Sequence, residues 1–206
     1  KAIFGVEISV SYLYHFLPAS DLQTANAYGY VLGIRDEEGQ LRAAVTHGAM
    51  QKRMLEEGKP LPKDFAGAAV FHAGPVALKN EDGSWRLNVI GPTTSIRMEP
   101  YADVVGRMGV RAVIGKGGMD ADTLRACGQY GYVYLQAAPG CAAKLAQGIE
   151  RINDVTWFEL GMPEAVWDLQ ANEFGPLVVG MDTHGQSIYK NLKEAALHKI
   201  DEAYPA

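Results

Sequence analysis

Short apolar segments alternate with helical patterns along most of this chain, and that alternation limits the folds it can adopt. The apolar segments are as short as buried strands, and the segments between them carry helix formers and capping residues. Strands that are apolar on both faces need cover on both, which a parallel sheet obtains from its crossover helices. We predict strands at residues 68–73, 85–90, 111–114, 132–136 and 177–181, and helices at 49–57, 97–107, 121–127, 141–149 and 188–204.

Residues 1–45 have a different sequence pattern, because segments with strand propensity follow one another there with little sign of helices. These runs cover residues 2–10, 28–34 and 41–46. Asp36-Glu37-Glu38-Gly39, between the last two runs, is typical of a hairpin turn. We therefore expect added antiparallel strands from this part of the chain.

A length of 206 residues suits one domain. The two sequence patterns together predict a single three-layer α/β domain over residues 1–206, made of a β-rich part at 1–45 and the alternating part at 46–206. Its central sheet is expected to be mostly parallel, beside a second, smaller antiparallel sheet.

The charge balance and the cysteine count exclude several classes of protein. Lysine and arginine total 19 against 24 acidic residues, a net charge of −5, whereas nucleic acids and anionic membranes require concentrated positive charge. No apolar run reaches the roughly 18 residues of a membrane span. Cys127 and Cys141 are too few for a disulfide framework or an iron–sulfur cluster, and the histidines lack metal-ligand spacing. We expect no nucleic acid, no membrane and no metal held by this chain, in a reducing cytoplasm.

Three predicted strands end in glycine-rich turns, which lie where open α/β sheets bind ligands. The turns are Gly74-Pro75, Gly91-Pro92-Thr93-Thr94 and Gly115-Lys116-Gly117-Gly118. Each alone is explained by a tight connection between elements, but two of them also carry polar or cationic side chains. The last turn lacks the spacing of a phosphate-binding loop and of a dinucleotide fingerprint, so nucleotide binding is not expected.

The cations beside these turns point to an anion pocket. Arg97 lies at a predicted helix start, where the helix macrodipole does not favour a cation, and Lys116 has no local carboxylate. Thr93, Thr94 and Ser95 add hydroxyls, whose alternative role is to cap the helix. Because a guanidinium binds both oxygens of a carboxylate, we predict a pocket for carboxylate groups. His72, in an apolar strand, is expected to be a hydrogen-bonded core residue.

The motifs around this pocket resemble a known family. Gly91-Pro92-Thr93-Thr94-Ser95-Ile96-Arg97-Met98, with Ile114-Gly115-Lys116-Gly117-Gly118-Met119, is similar to the iron–sulfur class I fumarases and L-tartrate dehydratases. The resemblance is strongest to their small β subunit, equivalent to the C-terminal domain of single-chain members. Phe71-His72-Ala73-Gly74-Pro75 and Asp182-Thr183-His184-Gly185 support it, and the similarity runs over roughly residues 46–189.

The resemblance implies a swivelling β/β/α domain that works with a larger α subunit, which supplies three cysteines to a [4Fe–4S] cluster. The implied reaction is reversible hydration of a small dicarboxylate, with fumarate and malate as the first candidates and L-tartrate as the second. By motif position, Thr93 moves a proton, and Arg97, Lys116 and Thr94 contact the substrate at the subunit interface. A heterotetramer or a β–β dimer is the expected assembly.

One stretch, at residues 47–51, departs from the family pattern. Relatives carry an Arg-Asp-x-x-His-Lys-Arg motif whose arginine contacts substrate, and here the aligned stretch is Thr46-His47-Gly48-Ala49-Met50-Gln51-Lys52-Arg53. His47 takes the place of that arginine, and a neutral imidazole, with an ordinary pKa of about 6.5, binds a carboxylate weakly. Three explanations of this departure stay open: an altered substrate, an impaired enzyme or a peculiarity of the sequence in this region. Beside the hydro-lyase, two other functions stay open: a non-catalytic dicarboxylate-binding or regulatory module, and a scaffold that only stabilises the α subunit.

Overall fold

A nine-stranded sheet runs through the computed structural model, which describes residues 12–17, 23, 25, 27, 29–34, 40–44, 54, 56–61 and 63–204. The strands of the chain are β1 (Tyr12–Leu17), β2 (Gly29–Ile34), β3 (Gln40–Ala44), β4 (Ala69–Phe71), β5 (Ala73–Lys79), β6 (Trp85–Pro92), β7 (Ala112–Gly115), β8 (Val133–Ala137), β9 (Ile149–Thr156), β10 (Val166–Ala171) and β11 (Leu177–Met181). The large sheet has the order β1-β2-β11-β8-β7-β4-β3-β10-β9, and β5 and β6 form a separate two-stranded sheet.

The centre of the large sheet is parallel, as the apolar segments predict. Strands β3, β4, β7 and β8 pair in parallel, and every described position of β4 and β7 is buried. On one side β11 pairs antiparallel with β8 and β2, and on the other β10 pairs antiparallel with β3 and β9. The buried strands therefore lie in the middle of the sheet.

Four α-helices and two 3₁₀ helices lie between or after the strands from residue 95 onward, and the described residues 54 and 56 are also α-helical. The α-helices are α1 (Ala102–Arg107), α2 (Ala121–Tyr130), α3 (Ala142–Ala146) and α4 (Ile188–Ala203), and the 3₁₀ helices are Ser95–Tyr101 and Phe158–Leu160. The Asp120 carboxylate accepts a hydrogen bond from the Ala121 N–H at the start of α2, and Gly131 ends that helix at a φ of 72°. No described helix is long and apolar enough to cross a membrane.

The core lies on both faces of the large sheet and makes three layers. One face packs Phe71, Ile114 and Leu135 against Ile90 of the β5–β6 hairpin. The opposite face packs the alternate positions, among them Val113 and Tyr134, against the side chains of α1 and α2. A small sheet, a large sheet and a helical layer therefore confirm the predicted three-layer α/β fold.

The small sheet contains both of the glycine–proline pairs that we predict as turns after strands. Gly74-Pro75 and Gly91-Pro92 are paired inside the β5–β6 hairpin, with Gly74 opposite Gly91 and Pro75 opposite Ile90. The prediction that Gly74-Pro75 ends a strand is therefore wrong, because the pair lies near the start of β5, whereas β6 does end at Gly91-Pro92. A proline is tolerated there because a two-stranded sheet leaves one edge of each strand unpaired.

Three further predictions, one hairpin and two helices, differ from the structure. The predicted hairpin between β2 and β3 is wrong, because four strands lie between them, although Asp36–Gly39 themselves fall outside the described residues. The helix predicted at 97–107 is a 3₁₀ helix followed by α1, since Pro100 lacks the N–H of an α-helical turn. The helix predicted at 141–149 stops at Ala146, because residue 149 begins the edge strand β9. Most of the helix predicted at 49–57 lies outside the described residues.

Helix α4 is attached to the sheet through Tyr189. The Tyr189 hydroxyl donates a 2.6 Å hydrogen bond to Gln136 Oε1, and its ring lies over two glycines. A Cβ on Gly180 would be 2.6 Å from the Tyr189 oxygen, and one on Gly118 would be 3.0 Å from the ring. The attachment therefore depends on the absence of side chains at these two positions.

A pair of glycine substitutions tests this packing. Gly180→Ala should lower the free energy of unfolding by about 1–3 kcal/mol, because the added methyl displaces the hydrogen-bonded ring. Gly128→Ala, on α2, adds the same methyl at an ordinary 3.5 Å contact and should raise that free energy by about 0.5–1 kcal/mol. Urea denaturation of both variants makes the comparison, and a Gly180→Ala protein as stable as Gly128→Ala would contradict the packing.

Candidate functional site

Four backbone hydrogen bonds join three chain segments that meet at one end of the parallel strands. The His72 N–H donates to the Ile114 carbonyl at 2.7 Å, and the Thr93 N–H donates to the His72 carbonyl at 2.7 Å. The Lys116 N–H donates to the Thr93 carbonyl at 3.2 Å, and the Ser95 N–H donates to the Lys116 carbonyl at 3.1 Å. The predicted motifs at 91–98 and 114–119 are therefore held against each other, with residue 72 beside them.

Gly115 makes this close approach possible. A Cβ at Gly115 would lie 1.7 Å from the Ser95 hydroxyl oxygen and 3.3 Å from His72 Nδ1. Real Cβ atoms do not tolerate the first of these distances, so any larger residue would push the Ser95 segment away. The glycine that ends β7 is thus required by packing in the site rather than by its own backbone angles.

Arg97 folds back onto the threonine ahead of it. Its Nη2 donates a 2.9 Å hydrogen bond to Thr93 Oγ1, and its Nε lies 3.5 Å from the Thr94 carbonyl oxygen. Thr93 is half-buried, whereas Arg97 and Thr94 are exposed. A guanidinium and a hydroxyl therefore lie side by side, reachable from solvent.

The hydroxyls of this loop do not cap the helix that follows. Thr94 occupies the N-cap position of the 3₁₀ helix without a side-chain hydrogen bond. The Thr93 hydroxyl accepts from Arg97, and the buried Ser95 hydroxyl lies 3.0 Å from His72 Nδ1. The alternative that these residues serve only as helix caps is therefore wrong.

Two cations of the site carry no countercharge within the described part of the chain. Neither Arg97 nor Lys116 is among its ion pairs, and Lys116 is half-buried. Glu99, two positions beyond Arg97, is used elsewhere, because its carboxylate accepts from the Asp120 N–H, the Thr123 N–H and the Thr123 hydroxyl at 2.7–2.9 Å. Two unpaired positive charges on adjoining segments favour an anionic ligand.

His72 is the site residue whose connection the sequence does not reveal. It is 2% exposed, its Nδ1 is hydrogen-bonded to the Ser95 hydroxyl, and its Nε2 has no hydrogen-bond partner among the residues that the structure describes. Burial, assisted by the Arg97 charge, lowers its pKa from 6.5 to about 4, so the imidazole is neutral at pH 7. The expectation of a hydrogen-bonded core histidine is confirmed, while its contact with the site loop is new.

A cavity of about 1020 Å³ opens beside the site, between α2 and α4. Gly117 and Gly118 line it together with Lys190 and Lys193, and Thr94 borders it from the site side. The Tyr134 hydroxyl donates a 2.8 Å hydrogen bond to the Gly117 carbonyl, which fixes the turn after Lys116. Thr94 therefore faces this cavity at the edge of the predicted pocket.

The described residues do not fit an iron–sulfur cluster. Cys127 is buried on α2, where burial raises the pKa of its thiol, and Cys141 is exposed just before α3. Among the residues the structure describes, no three histidine, cysteine or acidic side chains are grouped to hold a metal ion. His47, the remaining predicted site residue, lies outside them.

Comparison with known proteins gives the family. The model of the fumarase C-terminus matches residues 39–192. The L(+)-tartrate dehydratase subunit beta of Escherichia coli K12 is 40% identical over 151 residues, which are 73% of this chain and 75% of that protein. A protein of Methanocaldococcus jannaschii, named "Putative L(+)-tartrate dehydratase subunit beta", is 44% identical over 151 residues, 72% of this chain and 77% of that one.

A longer relative matches over only part of its length. The protein of Geobacillus stearothermophilus named "Putative fumarate hydratase class I" is 42% identical over 155 residues, 75% of this chain but 30% of that protein. The matched segments include both motifs that meet in the site. The chain therefore belongs to the family defined by the fumarase C-terminal domain, together with the β subunits of L(+)-tartrate dehydratase.

Proposed function

We propose that this chain is the substrate-binding and proton-transfer subunit of a hydro-lyase that reversibly dehydrates a small hydroxy-dicarboxylate. The observation that carries the proposal is the contact of the Arg97 guanidinium with the Thr93 hydroxyl, beside an unpaired Lys116. Family membership gives the reaction class, since relatives bear the names of tartrate dehydratase and fumarate hydratase.

Two cations on adjoining segments suit a ligand with two carboxylates. The planar guanidinium of Arg97 can bind both oxygens of one carboxylate, and the ammonium of Lys116 can bind the other as a point charge. A monocarboxylate would leave one of these cations unpaired. Fumarate with malate is our first substrate pair and L-tartrate the second, and a single added hydroxyl separates malate from tartrate.

The Thr93 hydroxyl is placed to carry the proton. Dehydration removes a proton from one carbon and hydroxide from its neighbour, and the electron pair of the broken C–H bond becomes the double bond. Because Arg97 donates to Thr93 Oγ1, negative charge that develops on this oxygen is stabilised. The same hydrogen bond leaves the hydroxyl's own proton free to point toward substrate or toward a base of a partner subunit.

The remaining chemistry is assigned to a partner. The relatives named as β subunits imply an α subunit, and we propose that it holds a [4Fe–4S] cluster, for which the described residues of this chain offer no ligand set. Such a cluster, when bound, supplies a Lewis acid for the departing hydroxyl. The active site would then be complete only in the assembled enzyme, as an α–β heterodimer or a heterotetramer built from it.

An anaerobic assay of the assembled enzyme tests the proposal. The chain mixed with its cluster-loaded partner should form fumarate from malate, followed by ultraviolet absorbance, or should consume L-tartrate, and either subunit alone should do neither. A formed complex that binds dicarboxylate without turning it over would favour the non-catalytic module. A complex that neither binds nor turns over either compound would favour a scaffold.

The carboxylate-binding roles predict the effect of removing each cation. Arg97→Gln and Lys116→Gln should each lower kcat/KM by roughly 10–150-fold, as the loss of a charged hydrogen bond worth about 1.5–3 kcal/mol requires. Arg86→Gln is the matched control, since Arg86 is exposed on β6, away from the site loop. Steady-state kinetics make the comparison, and equal losses in all three variants would contradict the assignment.

The proton-transfer role predicts a split between rate and affinity at Thr93. Thr93→Val keeps the shape but removes the hydroxyl, so kcat should fall by about 10²–10⁴-fold while dicarboxylate affinity changes little. Thr93→Ser keeps the hydroxyl and should retain most of the rate. Kinetics and calorimetric binding on both variants distinguish these outcomes, and a Thr93→Val enzyme with an ordinary kcat would exclude Thr93 as the proton carrier.

A further inference from the structure

We infer that His72 is a positioning residue of the site, whose imidazole holds Ser95 and thereby keeps the backbone that carries Thr93 and Arg97 in place. This inference rests on the proposed function for its consequence in substrate binding. Its structural part rests on three observations at His72: a hydrogen bond, a buried unpartnered nitrogen and a neighbouring cation.

The imidazole contacts the loop at its central residue. Ser95 lies between Thr93 and Arg97, and its hydroxyl is 3.0 Å from His72 Nδ1 across a sequence separation of 23 residues. Ser95 is fully buried, and the space its oxygen occupies exists only because Gly115 has no side chain. The Ser95 hydroxyl is therefore enclosed between His72, the end of β7 and Tyr134, whose hydroxyl is also hydrogen-bonded to it.

A histidine is an unfavourable choice for this position if packing were its only role. The side chain is 2% exposed, and its Nε2 has no hydrogen-bond partner among the described residues. A buried polar atom without a partner is destabilising, whereas an apolar side chain of similar size carries no such penalty. What the imidazole supplies, and an apolar residue cannot, is the hydrogen bond to Ser95.

Burial keeps this imidazole neutral, with a smaller contribution from the Arg97 charge, and neutrality suits the positioning role. Burial and the Arg97 charge both disfavour the protonated ring, so its pKa is about 4. A protonated ring beside Arg97 would repel the guanidinium that must stay near Thr93. The two side chains are thus coupled: a change at Arg97 alters the titration of His72, and loss of His72 alters the placement of Arg97.

Four variants of the full chain, assembled with its partner, test the binding consequence. His72→Leu and Ser95→Ala should each weaken L-tartrate and fumarate binding by about tenfold or more, and the double variant should be no worse than Ser95→Ala alone, because Ser95→Ala already removes the hydrogen bond to His72 together with the one to Tyr134. His72→Asn keeps a polar atom near the Nδ1 position and should bind within about threefold of the wild type. Calorimetry gives the affinities.

A core variant away from the site separates positioning from general stability. Leu169 is fully buried on β10, so Leu169→Ala should lower the melting temperature without changing dicarboxylate affinity. If His72→Leu binds as tightly as the wild type, or if Leu169→Ala weakens binding by the same factor, the positioning role is overturned.

The imidazole titration is a readout independent of substrate. In ¹⁵N-labelled full chain, the pKa of His72 should be well below 6.5, and Arg97→Gln should raise it, while Lys144→Gln on α3 should leave it unchanged. A His72 that titrates near 6.5 and ignores Arg97→Gln overturns the inference. An assembled wild-type enzyme that binds no dicarboxylate overturns the proposed function instead, and the titration still tests the coupling between His72 and Arg97.

Discussion

The hydrogen bonds that tie residue 72, the 93–95 loop and the end of β7 together are the constraint on which the site depends. They are backbone bonds that set the register of the three segments, and the His72–Ser95 side-chain hydrogen bond adds to them by fixing the position of the loop. Gly115 permits the approach, because its missing Cβ leaves room for the Ser95 hydroxyl. Once the three segments are fixed, the side chains of Thr93, Arg97 and Lys116 have nowhere to lie but at the same end of the sheet. The chemistry is thus built on a framework that does not itself take part in it.

The positive charge of the site is left unbalanced because the nearby acidic residues bind other groups. The chain has more acidic than basic residues, with a net charge of −5. A shortage of carboxylates therefore does not explain why cations in the described region lack ion-pair partners. Glu99 uses its carboxylate to satisfy the N-terminal N–H groups of α2, and Asp103 binds Arg125. Arg97 and Lys116 are left without acidic partners in the described region, which is the arrangement a dicarboxylate would complete. Within residues 97–103, the two carboxylates make structural contacts while the Arg97 guanidinium is left for a ligand.

Much of this arrangement is predictable from the sequence, because its causes are local. The apolar runs locate the parallel strands, and a cation placed against the helix dipole identifies Arg97. The errors come from long-range pairing: Gly74 and Gly91 lie opposite each other in a hairpin, and β2 and β3 join different parts of the sheet. β9 escapes prediction because an edge strand tolerates polar residues. The role of His72 is not predicted either, because no local sequence pattern indicates its hydrogen bond to Ser95, 23 residues further along the chain.

The central claim is that Arg97 and Lys116 bind the two carboxylates of one substrate with Thr93 beside its reacting carbon. A crystal structure of this chain assembled with its partner and soaked with L-tartrate tests that claim most directly. The account predicts one carboxylate on the Arg97 guanidinium, the other on Lys116 Nζ, and Thr93 Oγ1 turned toward the carbon between them. L-tartrate bound to the enzyme with neither cation in contact, and with Arg97 and Thr93 facing only each other, would contradict it.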